Sequence, residues 1–386
     1  MIASTGIVPA PPILGGAIES HAYVVANAVA SKGAKIHFLS DITPGAKFHP
    51  NIQTHPLHSP LRKFPVPFPT WILTHSLGGL LTAKTGYEVT LSQKPDVAHF
   101  HEETSAALYL SLKPRVPTVF TLHSPISWDG ETPPRAEAAI RRLFTEITAQ
   151  RVVRKVARFV ALSTSVAQYF SDWVGLDRTR ISVIPHPIDT DFFRPDREAE
   201  GISRQKLGLK GPYILFVGRL DPRKNVRTLL RAVAKLRTRP ITVIVGDGVE
   251  RESLMSLAKA IGVDSSIRFL GPVPVQLLPG LYSGAEFVVL PSLSEMSPMT
   301  VIEALSCGAP VVATRLSVLR DVITHGQNGL LISPTTEELS NTIATLDSDN
   351  ALKHKMKDYA RRRVLETNSL GVVADQLLAI YNEACA

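Results

Sequence analysis

The fold is most evident from residues 213–225, which read YILFVGRLDPRKN. The first five residues are an apolar run that is too short for a core helix and is typical of a buried strand. Gly218 then allows a tight turn, and residues 225–236 have the spacing of an amphipathic helix. The stretch therefore predicts a strand, a turn and a helix in that order.

The same alternation occurs along the whole chain. Apolar runs of strand length lie at residues 36–39, 97–100, 118–122, 159–162, 181–184, 213–217, 241–245, 267–270, 287–290, 311–313 and 330–332. Helical patterns lie between them, and strands alternating with helices predict parallel sheets with helices on both faces. We therefore expect an α/β protein with two Rossmann-like, doubly wound domains that face a cleft.

The boundary between the domains is predicted near residue 200, where the pattern restarts after several prolines. A length of 386 residues suits two domains. We expect an amino-terminal domain over 1–195 and a carboxyl-terminal domain over 196–365, with 366–386 packing back on the first. The proline-rich region 50–86 is expected to be an irregular loop, with an acceptor-facing or membrane-contacting loop as the alternative.

The composition fits a globular protein of the cytoplasm. Apolar residues make up 44% and charged residues 20%, which excludes a disordered or fibrous chain. The net charge of +8 points weakly to anionic partners. The two cysteines, Cys307 and Cys385, form neither a disulfide framework nor a zinc motif. Neither a membrane-spanning run nor a signal peptide is visible in the sequence, and peripheral contact with the inner membrane face remains a hypothesis.

The turn after residues 213–217 is the first candidate binding element. Gly218 permits close approach of a ligand to the backbone, and a following helix would present free N–H groups. Arg219 and Lys224 add two positive charges, which suits a diphosphate. The alternative is a loop with two solvated cations.

A pair of acidic residues is the second candidate element. Glu295 and Glu303 follow the strand 287–290, and Ser297 and Pro298 are a good N-cap and first helical residue. Glu303 then lies inside a helix, where a carboxylate can accept hydrogen bonds from ribose hydroxyls, while backbone N–H groups at Met299 and Thr300 face a phosphate. The alternative is two unrelated surface acids.

Two weaker candidates lie in the amino-terminal half. Gly15-Gly16 precede a helical pattern and suit a close backbone approach, although a simple turn is an equal alternative. His123 follows the strand 118–122, and the carboxyl end of a parallel strand points to the cleft. A lone histidine is more often structural, so that alternative stays open.

Neither a metal nor a cofactor is expected. Asp189-Thr190-Asp191 spells a metal-binding D-x-D pattern, but it lies in the interdomain connection. His99 and His101 share one face of a strand, yet no third ligand has a convincing spacing. We expect those two histidines to line the cleft or to be structural.

Taken together, these motifs resemble the retaining glycosyltransferases of family four, which have the two-domain GT-B fold. The stretches that carry the resemblance are 217–224, 245–248, 295–314 with its E-x7-E pattern, and 328–331, and more loosely Gly15-Gly16, His123, 183–185 and 188–189. The chain has His186-Pro187 and Ser297-Pro298 where the family often has Asn-Gly and an aromatic-glycine pair.

The resemblance implies transfer of a sugar, with retention, from a nucleotide-sugar donor to a hydroxyl acceptor that the sequence does not identify. Arg219 and Lys224 would neutralise the leaving diphosphate, and Glu303 would bind the ribose. Glu295 and His123 would contact the donor sugar or the reacting centre. The implied donor-binding backbone positions are Gly15, Gly16, Gly218, Gly246, Ser297, Met299 and Thr300.

Two other functions stay open at this stage. A nucleotide-sugar 2-epimerase would use a similar fold and the same donor without an acceptor. A nucleic-acid binder is suggested only by the basic residues Arg141, Arg142, Arg151, Arg154, Lys155 and Arg158. Because the sequence contains no nucleic-acid-binding motif, we expect no such partner. The same basic stretch, with Trp71 to Leu73, would contact anionic lipid if the acceptor were lipid-linked.

Overall fold

The computed structural model describes residues 1–5, 9–11, 17–57, 70–123, 146–295 and 298–386. The chain divides into two compact units, one formed by Met1–Pro187 with Leu370–Ala386 and the other by Ile188–Ser369. Residues 188–195, predicted in the first domain, therefore belong to the second unit. The reason is packing: Ile188 and Phe193 are buried in the core of that unit, and Arg361 donates a 2.9 Å hydrogen bond to the carbonyl of Phe193.

The described residues of the first unit form a parallel sheet of seven strands. The strands are β1 (Ile2–Ala3), β2 (Ile36–Leu39), β3 (Ile52–His55), β4 (Ala98–Phe100), β5 (Thr118–Leu122), β6 (Arg158–Ala161) and β7 (Ile181–Val183). The helices up to β7 are α1 (Ala17–Ser31), α2 (Thr70–Gln93), α3 (Glu103–Ser111), α4 (146–155) and α5 (Thr164–Val174). The strand order is β3-β2-β1-β4-β5-β6-β7.

The second unit repeats this plan with six parallel strands. They are β8 (Tyr213–Val217), β9 (Ile241–Val245), β10 (Ile267–Gly271), β11 (Val288–Leu290), β12 (Val311–Thr314) and β13 (Gly329–Ile332), in the order β10-β9-β8-β11-β12-β13. The helices are α6 (Arg197–Leu207), α7 (Val226–Lys235), α8 (Arg251–Ala260), α9 (Leu278–Ser283), α10 (Met299–Ser306), α11 (Thr336–Ser348) and α12 (Asn350–Thr367).

The last helix, α13 (Leu370–Cys385), belongs to the first unit and packs on α1. Alternation along the strands separates two apolar layers, because successive side chains of a strand point to opposite faces. Phe120 of β5 is buried with residues of α2 to α5. Its neighbour Val119 is buried with residues of α1 and α13. The sheet is therefore covered on both faces, as a parallel sheet requires.

The predicted fold class is confirmed. In each unit the strand order follows the Rossmann pattern, with the chain winding outward in one direction from the first strand and then in the other. The order reverses between β1 and β4 in the first unit and between β8 and β11 in the second. Ligands of such sheets bind at the carboxyl ends of the strands beside this reversal point.

The prediction of an irregular loop over residues 50–86 is wrong at β3 and from Thr70 onward, where α2 forms, and its proline-rich part at 58–69 lies outside the described residues. Glycines at 78 and 79 disfavour a helix locally. Tertiary packing explains why it forms: a Cβ added at Gly79 would lie 2.9 Å from Cγ2 of Thr104, so α2 and α3 approach closely there. None of the described helices is long and apolar enough to cross a bilayer.

Candidate functional site

The loops that follow β8 and β11 meet at the reversal point of the second sheet. The backbone N–H of Leu293, after β11, donates to the carbonyl of Arg223, after β8, at 2.7 Å. The side-chain amide of Asn225 donates to the carbonyl of Pro291 at 3.2 Å. These two hydrogen bonds hold the predicted phosphate loop against the loop that carries Glu295.

The loop after β8 is shaped by Asp221. Its Oδ1 accepts from the backbone N–H of Arg223 at 3.0 Å and of Lys224 at 3.3 Å, which stabilises a single 3-10 turn over residues 222–224. Asn225 then takes the left-handed conformation with φ of 52°, and α7 begins only at Val226. The helix predicted over residues 225–236 therefore begins one residue later, at Val226, and ends at Lys235.

Lys224 and Glu295 form an ion pair across the two loops. Nζ of Lys224 lies 2.6 Å from Oε1 of Glu295, and the hydroxyl of Ser292 donates to the same oxygen at 2.6 Å. The Glu295 side chain is 6% exposed and that of Lys224 is 21% exposed. A largely buried carboxylate is thus balanced by one cation and one hydroxyl, as a buried charge requires.

Arg219 is placed differently from Lys224. Its side chain is 71% exposed, and its guanidinium lies 3.2 Å from the carboxylate of Asp221. Arg223 pairs with the same carboxylate oxygen at 3.2 Å. The structure therefore brings Arg219 to the predicted loop but not into the contact between Lys224 and Glu295.

Glu303 is the fifth of the eight residues of α10 and is bound by a tyrosine that the sequence did not suggest. The buried Tyr282, on α9, donates its hydroxyl to Oε2 of Glu303 at 2.8 Å. Burial raises the pKa of the Glu303 carboxyl, and the hydrogen bond from Tyr282 acts in the opposite direction. The hydrogen bond thereby holds the carboxylate in one orientation.

The helix that carries Glu303 begins one residue later than predicted. Pro298 occupies the cap position instead of the first helical position, and its carbonyl accepts from Val301 at 2.9 Å. Ser297, predicted as the N-cap, lies outside the described residues. Met299 and Thr300 are the first helical residues, and the first backbone N–H groups of a helix lack acceptors within it.

Glycines at the end of β9 are required by close backbone packing. A Cβ at Gly246 would lie 1.9 Å from the carbonyl oxygen of Gly218, and one at Gly248 would lie 2.4 Å from that of Leu220. Both glycines also have positive φ, of 123° and 157°. Gly246 thus supports the phosphate loop by allowing this approach, and its predicted contact with a donor stays a prediction.

In the first unit, histidines gather where several strands end. His101 follows β4, His123 follows β5 and His186 lies just after β7, while His21 lies on α1 after β1. The ring centroids of His21 and His123 are 5.0 Å apart, and those of His21 and His186 are 4.7 Å apart. The structure therefore places His123 in a cluster rather than alone, which the sequence analysis of that residue had not foreseen.

The members of the cluster make hydrogen bonds to one another. Nδ1 of His101 lies 3.1 Å from Nε2 of His123, and Nδ1 of His21 lies 2.9 Å from Nδ1 of His186. Burial, with the nearby imidazoles, holds the pKa values of His21, His101 and His123 well below the usual value for histidine. Burial likewise lowers the pKa of His186 to about 4.

His99 is structural, one of the two roles expected for it. Its Nδ1 lies 2.7 Å from the hydroxyl of Tyr381, and its Nε2 lies 2.7 Å from Oγ1 of Thr121. Asp189 also has a local partner, since its Oδ1 accepts from the backbone N–H of Asp191 at 3.0 Å. Gly15 and Gly16 lie outside the described residues.

Some of the site residues were missed in the sequence because each is unremarkable alone. Tyr282 and Ser292 carry no motif, and only the fold brings them to the two carboxylates. His186 offered a signal, because it departs from the usual residue after Pro185. Three histidines that each follow a parallel strand were a stronger signal, since the carboxyl ends of such strands share one edge.

The fold defines a protein with two parallel α/β domains, and comparison with known proteins gives its family. Residues 200–363 match the family described as Glycosyl transferases group 1. Residues 15–192 match the family described as Glycosyltransferase Family 4. The chain belongs to the group 1, family 4 glycosyltransferases.

Curated relatives include D-inositol 3-phosphate glycosyltransferases. That of Corynebacterium glutamicum is 30% identical over 331 residues, which cover 80% of this chain and 76% of the relative. That of Salinispora arenicola is 33% identical over 256 residues, covering 61% of this chain and 57% of the relative. The chain thus spans little more than half the length of some curated relatives that it matches.

Solved structures share the fold over the whole chain. Sucrose-phosphate synthase from Thermosynechococcus elongatus has a TM-score of 0.81 at 21% identity, covering 99% of this chain and 98% of that one. Anabaena HepE, in complex with UDP-glucose, has a TM-score of 0.71 at 17% identity over 99% of this chain and 98% of that one. At these identities the likeness shows the GT-B fold.

Proposed function

We propose that this protein transfers a sugar, with retention of configuration, from a nucleoside-diphosphate sugar to a hydroxyl acceptor. The family favours this reaction over a 2-epimerase and over nucleic-acid binding. The observation that carries the proposal is the ion pair of Lys224 and Glu295 at the reversal point of the second sheet, 2.6 Å between charged atoms. This is the position at which doubly wound sheets bind ligands.

The proposed chemistry follows from where charge develops. Cleavage of the anomeric C–O bond leaves an oxocarbenium-like sugar and adds negative charge to the departing diphosphate. Lys224, fixed by its partner, supplies a preorganised positive charge, and such a group stabilises the transition state more than the ground state. A same-face substitution, in which the leaving phosphate helps to take the acceptor proton, accounts for retention without a covalent nucleophile.

The remaining contacts to the donor follow from α10. Glu303 accepts hydrogen bonds from the ribose hydroxyls through the oxygen that Tyr282 does not occupy. The first N–H groups of α10, at Met299 and Thr300, face the phosphate side of the donor. Glu295 binds a hydroxyl of the donor sugar through Oε2, while its Oε1 keeps the bonds from Lys224 and Ser292.

Arg219 has a separate proposed role. Since its side chain is 71% exposed and is held at its tip by Asp221, it can turn to the diphosphate when the donor arrives. Two cations then neutralise the leaving group, so we propose that the transfer step needs no divalent ion and proceeds in the presence of a chelator. The contact of His123 with the donor sugar remains part of this proposal.

The named relatives suggest the first donor and acceptor to test. Because HepE is seen with UDP-glucose and the curated relatives are named for inositol 3-phosphate, we propose a UDP-sugar and a phosphorylated polyol. The net charge of +8 suits an anionic acceptor. Contact with anionic lipid is a further proposal that rests on exposed Arg151 and Arg154 of α4, and co-sedimentation with anionic but not neutral vesicles tests it.

A thermal-shift screen against UDP-, GDP-, ADP- and dTDP-sugars tests the donor, since a ligand of the native state raises the melting temperature. The nucleotide that stabilises the wild type should not stabilise Lys224→Gln or Glu303→Gln. Lys235→Gln is the matched control, because Lys235 forms an exposed ion pair with Glu337 in the same unit. Equal stabilisation of all four proteins would contradict the proposed site.

A further inference from the structure

The histidine cluster of the first unit has the geometry of a metal site. Each of His21, His101 and His123 offers one ring nitrogen, and these three atoms lie within 4.8 Å of one another. From the spatial arrangement of their rings we infer that these three side chains bind a divalent transition-metal ion of the zinc class. The inference concerns side chains of the first unit and does not rest on the transfer reaction. It uses His123 as a metal ligand and so is an alternative to the donor-sugar contact proposed above for that one residue.

The three imidazoles surround a common centre. Their ring centroids form a nearly equilateral triangle, with separations of 5.4 Å for His21 and His101, 5.0 Å for His21 and His123, and 5.4 Å for His101 and His123. A zinc–nitrogen bond of 2.0–2.1 Å puts each ring centroid about 3.2 Å from the ion, so two ligands at the tetrahedral angle have centroids about 5.2 Å apart. The observed triangle matches that spacing.

One pair of nitrogens is close to the spacing of two ligands. Nδ1 of His101 and Nε2 of His123 are 3.1 Å apart, whereas the edge of a tetrahedral zinc–nitrogen site is about 3.3 Å. A ring rotation that moves either nitrogen by a few tenths of an ångström converts this hydrogen-bonded pair into two ligands. His123 is only half-buried, which leaves the ion a path of entry.

His21 has an outer partner of the kind that a metal ligand usually has. Ligating histidines usually bind a second group through the other ring nitrogen, which fixes the ring. His186 can serve His21 in this way, because their Nδ1 atoms are 2.9 Å apart. That arrangement leaves Nε2 of His21 for the ion. Neutral imidazole nitrogens are the preferred ligands of zinc and its neighbours, and the fourth position remains for water or a ligand.

The test is metal binding by the full chain without an oligohistidine tag. The protein is freed of metal by dialysis against a chelator and titrated with Co²⁺, whose visible spectrum reports tetrahedral coordination, and then with Zn²⁺. We expect one Co²⁺ per chain with a tetrahedral spectrum, displaced by Zn²⁺. His21→Gln and His101→Gln should each weaken Zn²⁺ binding by more than about 100-fold, since even outer partners of a ligand are worth 10–100-fold.

His37→Gln is the matched control. His37 and His55 form another histidine pair of the same unit, with 3.1 Å between Nδ1 and Nε2, but without a third ring. This variant should bind Zn²⁺ as the wild type does. Failure of the wild type to bind Co²⁺, or equal binding by His101→Gln, would overturn the proposal, as would an equal loss in His37→Gln.

A spectroscopic measurement covers the case in which the ligand variants do not fold, which circular dichroism of the metal-free proteins would reveal. X-ray absorption of the zinc-loaded wild type should then show a shell of light ligands with the scattering pattern of about three imidazoles. A shell without imidazole scattering would overturn the proposal without any variant.

Discussion

Replacing Lys224 by methionine separates the structural role of this residue from its proposed chemical role. The change removes the cation that balances Glu295, whose side chain is 6% exposed. Breaking a fully buried pair costs about 3–5 kcal/mol. Because Lys224 is 21% exposed and Glu295 keeps its bond from Ser292, we expect a smaller loss, about 2–3 kcal/mol.

That loss corresponds to a fall of about 5–10 °C in the melting temperature of a unit of this size. Adding Glu295→Gln to Lys224→Met should restore most of it, since the unpaired carboxylate is gone and the amide still accepts from Ser292. Transfer should respond differently: we expect a fall of about 10²–10³ in the single variant and no recovery in the double variant, because the diphosphate has still lost its cation.

The assay is thermal unfolding of the four proteins of this double-mutant cycle, together with the rate of donor consumption. Lys235→Met should change stability by less than about 1 kcal/mol and leave the rate unchanged, as expected for an exposed pair. Recovery of wild-type turnover in the double variant would show that Lys224 acts only by neutralising Glu295, and the proposed role in catalysis would fail.

Three other changes follow from the same unit. Gly246→Ala should lower the free energy of unfolding, measured by denaturant titration, by more than about 3 kcal/mol, because the added Cβ would lie 1.9 Å from a carbonyl oxygen. Gly201→Ala is the control: the space around this glycine is open, so the change should stabilise the protein by about 0.5–1 kcal/mol. Burial raises the pKa of Glu303 above 4.5, so the folded state holds the proton longer and wild-type stability should fall as pH rises through that window, a slope that Glu303→Gln removes. Tyr282→Phe removes the bond that favours the ionised carboxylate, so calorimetry at two pH values should show weaker donor binding than in the wild type, with the larger loss at the lower pH. An unchanged affinity at both would contradict the assignment.

The sequence predicted the strands of both sheets well where they are long and apolar. The predictions at 118–122, 213–217 and 241–245 are confirmed to the residue. It failed where tertiary contacts replace local signals. β1 has only two residues, Ile2 and Ala3, yet it is the first strand of its sheet's winding order, paired with both β2 and β4.

Side-chain partnerships were less predictable than backbone elements. The two acids eight residues apart were identified, but the sequence assigned Lys224 and Glu295 to different parts of a ligand, and the structure pairs them with each other. Such a pair forms across loops that are 71 residues apart in sequence. Those loops meet because β8 and β11 are neighbours in the sheet, and local sequence patterns do not predict which strands are neighbours.

The two sheets share one topology, but different side chains lie at the point where the strand order reverses: charged groups in the second unit and neutral imidazoles in the first. In the second unit, Lys224 and Glu295 offer charged groups to a ligand. The Lys224 side chain is 21% exposed, and Glu295 keeps a hydrogen bond from Ser292. In the first unit, His21 and His101 present neutral, buried nitrogens, for which exchange with a charged phosphate would be unfavourable. A phosphate is therefore expected at the second reversal point and a soft or borderline cation at the first. Equilibrium binding of UDP and of Zn²⁺ to one sample tests this division: the two should bind without competing, and mutual displacement would show that a single site takes both.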